Sequence, residues 1–444
     1  MSEDKKLKVL VALSNGHGSR VPDRLIRSLS VSRLAEYKII FTNCDFGGAT
    51  GNDRIITESI YDQDPDYRDW KPQAWGDYTR FIEAYFKYRK FVEAGGDEIT
   101  NWEKKGGVQE RLFAASARTS EKQTILDQIK EFISLNEGQK CVEEFLKKFA
   151  SNRDKLEIFV DKYLNSYKSL NEKNRLVENS ARGQPFWFYI LADFLLNTCH
   201  GDHSELSKLW QEMNLIYPNM ELKLYGNEAH NLEYKATKEN GETITLPNEE
   251  RVDNRLADAK LIVSSGKYTN KDGNRIEKDP IAKLWMDDCD IVIVPPGSAD
   301  TTIPFYETFS DEMSKKMKLL IVNSGMNENQ TEEYLEMIRL FFQDPTKNTF
   351  LMTPETMQEL KLDNHEYPQI AVDSVPGPDG KKFFDTQILT RKVMKIFKEL
   401  ALLNENEVKE KMWKRLPLLL QAHLAEIQRL PENKEYKLAP YKVH

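Results

Sequence analysis

Glycine, hydroxyl and acidic residues gather at four places in this 444-residue chain, each directly after a short apolar run. Lys8 to Leu13 gives way to Ser14-Asn15-Gly16-His17-Gly18-Ser19, and Lys38 to Thr42 to Asn43-Cys44-Asp45-Phe46-Gly47-Gly48-Ala49-Thr50-Gly51. Asp290 to Val294 leads into Pro295-Pro296-Gly297-Ser298-Ala299-Asp300-Thr301-Thr302, and Lys318 to Val322 into Asn323-Ser324-Gly325. Small side chains let the backbone approach a ligand closely, and amides at a loop-to-helix junction suit an anion. Hydroxyls of the third loop suit phosphate or sugar oxygens. Asp45 is fitted to a ribose hydroxyl, a substrate amine or a divalent cation, since a carboxylate is a hard oxygen ligand.

Each feature also has a plain alternative. Residues 14–19 match neither GxxxxGK[ST] nor a close GxGxxG and could be an ordinary strand-to-helix turn. Asp45 could cap the next turn, and Pro296-Gly297 could be a turn before a Ser/Thr-capped helix at Ile303-Pro304.

Loops of this kind need a scaffold that brings them to one edge. Continuous Val/Ile/Leu runs suit parallel strands covered on both faces, and open α/β sheets bind ligands beyond the strand carboxyl ends. The expected fold is therefore α/β: a Rossmann-like, mostly parallel sheet with helices on both faces. Residues 1–95 and 181–400 would form its core, including helices at Asp23 to Leu34 and through Phe81. Residues 96–180 are strongly charged, with apolar residues at three- and four-residue spacing, and read as a helical insertion. Residues 220–265, with a hairpin turn at Asn240-Gly241, read as a small antiparallel flap, and 401–444 as a helical tail.

Composition narrows the function. Sixty-three basic against 71 acidic residues leave a net charge of −8, which opposes a broad nucleic-acid surface. The longest apolar stretch, Pro185 to Leu196, is too short for a bilayer and contains Asp193, and the N-terminus carries no cleavable signal pattern. A cytoplasmic protein with no membrane partner is expected. Cys44, Cys141, Cys199 and Cys289 are widely spaced and read as reduced thiols, Cys289 in the core. Cys199-His200-Gly201-Asp202-His203 lacks a second ligand cluster and reads as a helix-end loop, not a zinc site.

The order of the loops resembles the CofD/YvcK family, which contains a phospholactate transferase and a gluconeogenesis or morphogenesis factor. Its YvcK-type members look like GGGTG, ADDGGSSG, PPGDIRN, a GN-initiated helix, an acidic strand with a DG turn, ADLIVIGPGSLYTS, and a strand ending in N with TQPGET. The co-linear counterparts here are Ser14 to Gly18, Cys44 to Gly51, Ala74 to Arg80, Gly183 to Leu196, Asn231 to Gly241, Asp288 to Thr301, and Asn323 with Glu328 to Thr331. Phe46 replaces the second Asp of ADDGG, Gln184 stands where Asn is expected, and TQPGET survives only as MNENQT.

The resemblance implies a nucleotide or nucleotide-sugar ligand and a possible-magnesium chemistry centred on Asp45, as metal or acceptor contact. It implies Gly16, Gly18, Gly297, Ser298 and Thr301 at the phosphates. Asn15, Ser19, Gly47, Gly48, Thr50, Gly51, Gly76, Pro296 and Asn323 complete the implied ligand set. Asp77 is implied as a base or ribose contact, its plain alternative being a cap on the helix of Phe81. Two activities follow: a regulatory factor sensing a UDP-sugar, or a 2-phospho-L-lactate transferase-type enzyme using a nucleoside diphosphate-linked donor. Phe46 favours the first, because a second carboxylate would help hold a divalent cation. A scaffold working through residues 96–180 is a third reading, and a homodimer is a family expectation.

Overall fold

The computed structural model describes residues 7–13, 35–44, 48–70, 119–134, 153–176, 184–212, 220–226, 230–247, 261–270, 272–296, 302–322, 328–344, 347–362, 369–376 and 382–384, with Met326 and scattered positions over 72–86 and 389–397. Its strands are β1 (Leu7–Leu13), β2 (Ala35–Phe41), β3 (Met220–Leu224), β4 (Asn231–Thr237), β5 (Thr243–Pro247) and β6 (Ile262–Thr269). They continue with β7 (Ile291–Val294), β8 (Met317–Ile321), β9 (Asn348–Met352), β10 (Gln369–Ala371), β11 (Ser374–Pro376) and β12 (Lys382–Phe384). The helices are α1 (Gly48–Gln63), α2 (Lys122–Ser134), α3 (Arg153–Glu172), α4 (Trp187–Thr198) and α5 (His203–Glu212). After them come α6 (Pro280–Asp288), α7 (Ile303–Thr308), α8 (Ser310–Met313), α9 (Glu328–Phe341) and α10 (Pro354–Leu360).

Seven strands form one sheet in the order β10-β9-β8-β7-β1-β2-β3. Every neighbouring pair in it is parallel, as the apolar runs led one to expect. The chain moves outward from β1 through β2 to β3, then returns to the other side of β1 with β7 and moves outward again. Strand order thus reverses between β1 and β7, where Val9 faces Ile291 and Val11 faces Ile293. Such a switch point opens a crevice at the carboxyl ends of its two strands.

Side-chain alternation gives the sheet two separate cores. Leu7, Val9, Val11 and Leu13 of β1 join Tyr37, Ile39 and Phe41 of β2 on one face. Leu10, Ala12 and Ile40 serve the other. On the first face lie α1 to α5. In α2 the buried Ile125, Leu126, Ile129 and Phe132 form one stripe, whereas α4 is buried at every position from Trp187 to Asn197. The described parts of the expected insertion, α2 and α3, share this core with α1 and α4.

The second face is covered by α6 to α10 and the flap, an antiparallel sheet ordered β5-β4-β6. Its hairpin turns where Asn-Gly foretold: Gly241 has φ +82° and Asn240 Oδ1 accepts from the Glu242 amide at 3.0 Å. Gly266 of β6 lies so close to α7 that a Cβ there would sit 2.8 Å from Pro304 Cγ.

One strand departs from expectation. β3, read as the first strand of the flap, pairs in parallel with β2 and forms an edge of the main sheet. Leu222 and Leu224 enter the helical core, while Lys223 is buried against Asp279, the N-cap of α6, at 2.9 Å. The expected helix at Asp23 to Leu34 and the tail beyond residue 401 lie outside the described residues. Among the described residues no helix is long and apolar enough to cross a membrane.

Candidate ligand site at the carboxyl edge

Because the main sheet is parallel, the segments after β1, β2, β7 and β8 all leave from one edge. The ladder runs one residue past the strands: the Thr42 amide bonds Leu13 O at 2.9 Å, and the Tyr225 amide bonds Phe41 O at 2.9 Å. Asn43 then turns the chain with φ +57°, a left-handed conformation that asparagine tolerates better than most residues. Its Nδ2 donates to Tyr225 O at 2.9 Å, which fixes the amide's orientation, and its buried Oδ1 has no donor among the described residues. An acceptor is thereby held ready at the head of the glycine loop.

The flap is fastened to this same corner. Tyr268 of β6 donates to Thr42 O at 2.6 Å and lies 3.2 Å from Cys44 Sγ. His230, at the start of β4, places Nε2 3.0 Å from Asn43 O. Arg54 of α1 donates to the His230 carbonyl and to Asn231 Oδ1 and pairs with Glu58. Burial raises the Tyr268 hydroxyl well above its ordinary value, so it stays protonated as a donor.

Helix α1 opens at Gly48, and its first turn carries no acidic residue. No acidic side chain of that turn opposes the positive end of its dipole. Gly48, Thr50 and Gly51, expected in a loop, are helical, so the glycine loop is shorter than its sequence suggests. Thr50 is buried and its hydroxyl lies 3.1 Å from Tyr189 of α4, which gives it a packing role.

Of the other expected ligand residues, Pro296 is buried two positions beyond β7. Gly76, with φ +37°, adjoins Trp75 in the helical core, and its carbonyl accepts from Thr79 Oγ1 at 3.2 Å. Asn15, Gly16, Gly18, Ser19, Asp45, Gly47, Asp77, Gly297, Ser298, Thr301 and Asn323 lie outside the described residues. All but Asp77 follow the ends of β1, β2, β7 and β8, which stand side by side in the sheet.

Among the described residues no group of three or more His, Cys, Asp or Glu could hold a metal ion. His200, with φ +55°, and Gly201, with φ +77°, form the turn between α4 and α5, and Asp202 Oδ1 accepts from the Ser204 amide at 2.7 Å. Cys44, Cys199 and Cys289 are in no disulfide, and burial pushes the Cys289 thiol up to about 12.

No protein-family model and no curated protein matches the chain. Among solved structures, it is similar to the crystal structure of a UPF0052-family member from Bacillus halodurans. That match has 12% identity and a TM-score of 0.46, covering 88% of this chain and 100% of the other.

Proposed function

We propose that the protein binds a nucleotide or nucleotide-sugar of the UDP-sugar type at the carboxyl edge and acts as a metabolic regulatory factor. The observation that carries this reading is the reversal of strand order between β1 and β7. It puts the origins of the Ser14 and Pro295 loops side by side, in the crevice where open α/β sheets take ligands. Backbone amides of those loops would meet the phosphates, and the acid-free N-terminus of α1 adds favourable potential for an anion. Asn43 Oδ1 supplies an acceptor for a sugar hydroxyl. The co-linear resemblance to the CofD/YvcK motifs supports the same ligand class.

Asp45 would be the contact for a magnesium ion or an acceptor group, and Asp77 a base or ribose contact. The transferase reading requires phosphates to be neutralised and an acceptor hydroxyl to be oriented, work done by positioning and electrostatics. Phe46, in place of the family's second Asp, disfavours it.

A thermal-shift screen against UDP, UDP-sugars, GDP, GTP and deazaflavin precursors, with and without magnesium, tests the proposal, since a ligand of the native state raises the melting temperature. Stabilisation by a UDP-sugar without turnover is the expected result. A magnesium-dependent guanine-nucleotide response with release of a nucleoside monophosphate would replace it with the transferase. Silence across the panel would remove both.

A further inference from the structure

Beneath the helix that opens at the glycine loop lie two carboxyl groups that the proposed ligand site does not use. Asp53 of α1 is 1% exposed and Asp193 of α4 is 0% exposed. Tyr163 of α3 donates to Asp53 Oδ1 at 2.5 Å, and Trp75 Nε1 donates to Asp193 Oδ1 at 2.7 Å. The remaining oxygens, Asp53 Oδ2 and Asp193 Oδ2, receive no donor among the described residues. One turn before each, the hydroxyls of Thr50 in α1 and Tyr189 in α4 lie 3.1 Å apart, so the two carboxyls face each other across the same helix contact, close enough for one to donate to the other when it carries a proton. Two carboxylate oxygens are both acceptors, so such a bond exists only if one of them carries a proton.

Among the described residues no cation balances the charge of the pair. Tyr61, from a later turn of α1, feels both carboxylates but is itself an acid that burial keeps neutral. Arg54, next in sequence, turns away to Glu58, Asn231 and the His230 carbonyl. Lys162, beside Tyr163, pairs with Asp64. From α4, Tyr189 bonds Thr50. Among the described residues neither Asp53 nor Asp193 enters an ion pair. Burial therefore raises both carboxyls above the ordinary carboxylate range, and for Asp193 the charge of Asp53 adds to it.

We infer that Asp53 and Asp193 share one proton, and that this proton fastens α1 to α3 and α4, making the docking of the glycine-loop helix sensitive to pH. With the proton in place, the series Tyr163, Asp53, Asp193, Trp75 is a continuous run of hydrogen bonds joining α1, α3, α4 and the Trp75 segment. When it leaves, two carboxylates face each other in a dry interior and the run is broken at its centre. In the unfolded chain both groups are ordinary acids, so the native state takes up a proton on folding. Stability from the pair is complete at acid pH and is lost as pH rises through the folded-state value.

The test is urea unfolding of the full chain between about pH 5 and pH 8, wild type against Asp193→Asn. The asparagine keeps an oxygen for Trp75 and places a permanent N–H donor where the proton was. The folding equilibrium constant of the wild type should fall by up to about tenfold per pH unit relative to the variant. Parallel profiles would overturn the inference, and groups common to both proteins cancel in the comparison. A second readout needs no variant: infrared spectra of the native protein at neutral pH should contain a protonated-carboxyl C=O band that moves on isotopic labelling of aspartate. Absence of that band would overturn the inference even if Asp193→Asn does not fold. Neither readout depends on which ligand binds.

Discussion

The two edges of the parallel sheet are built from different chemistry. At the amino edge lysines are tied down: the Lys8 amide bonds Asp290 at 2.9 Å and its ammonium bonds Asp288 at 2.7 Å. Lys316 reaches the carbonyls of Asp287 and Cys289, each at 2.7 Å, and Lys318 those of Met313 and Lys316 at 2.8 and 2.9 Å. At the carboxyl edge beyond β2, Thr42, Asn43, Cys44 and Tyr268 are neutral, and the helix that follows has an acid-free first turn. Charge at the amino edge is committed to the fold. The carboxyl edge beyond β2 offers a helix N-terminus and, among the described residues, an acceptor without a donor, which suits the proposed anionic ligand with hydroxyls.

Lys223 and Asp279 form an ion pair that the carboxyl edge does keep, at the end of β3, and disturbing it should have the largest effect on the fold. Asp279 also accepts from the amides of Gly226, Ile281 and Ala282 at 2.9, 2.9 and 3.0 Å. Asp279→Ala deprives Lys223 of a buried carboxylate and α6 of its cap, and should cost about 3 to 5 kcal/mol in urea unfolding. A loss below about 1 kcal/mol would mean that this charge is not structural.

Next comes His203, at the start of α5, where burial lowers the imidazole to about 3 and neither ring nitrogen has a hydrogen-bond partner among the described residues. Its folded-state value lies below its ordinary 6.5, so the unfolded chain binds the proton more tightly. Stability should be full above the ordinary value and fall by up to about 1.4 kcal/mol per pH unit as pH drops below it. This slope is opposite in sign to that of the carboxyl pair, and His203→Phe should flatten it.

Gly266→Ala should cost about 1 to 3 kcal/mol, because the new Cβ meets the Pro304 ring and the flap must shift on α7. Denaturation curves read this directly. The smallest change belongs to the amino edge: Lys8→Met removes a pair whose side chains are 40% and 41% exposed. It should cost no more than about 1 kcal/mol, with less effect still in high salt.

Legibility in the sequence followed the range of the forces involved. β1, β2, β7 and β8 announce themselves because a strand covered on both faces has little room for polar residues, and Asn240-Gly241 because its turn is local. β3 was misread because Glu221 and Lys223 alternate with Met220, Leu222 and Leu224, the pattern of a half-exposed strand. Lys223 is instead buried, and its partner Asp279 comes from a helix far along the chain. The same limit hid the corner around Asn43, whose neighbours come from α1, β4 and β6. Asn43 itself left a signal, an asparagine ahead of a glycine loop, where a left-handed turn is cheap. Asp193 was conspicuous as an acid in an apolar helix, but its pairing with Asp53 exists only after α1 and α4 have packed.

The central claim is that ligand chemistry belongs to the carboxyl edge and not to the amino edge. Calorimetric titration of UDP-N-acetylglucosamine into the wild type, Gly48→Asp and Lys8→Met tests it most directly. Saturable binding by the wild type and Lys8→Met, with none by Gly48→Asp, is the predicted result, because a carboxylate at the first residue of α1 opposes an anion there. No binding by the wild type, or equal binding by Gly48→Asp, would contradict the account.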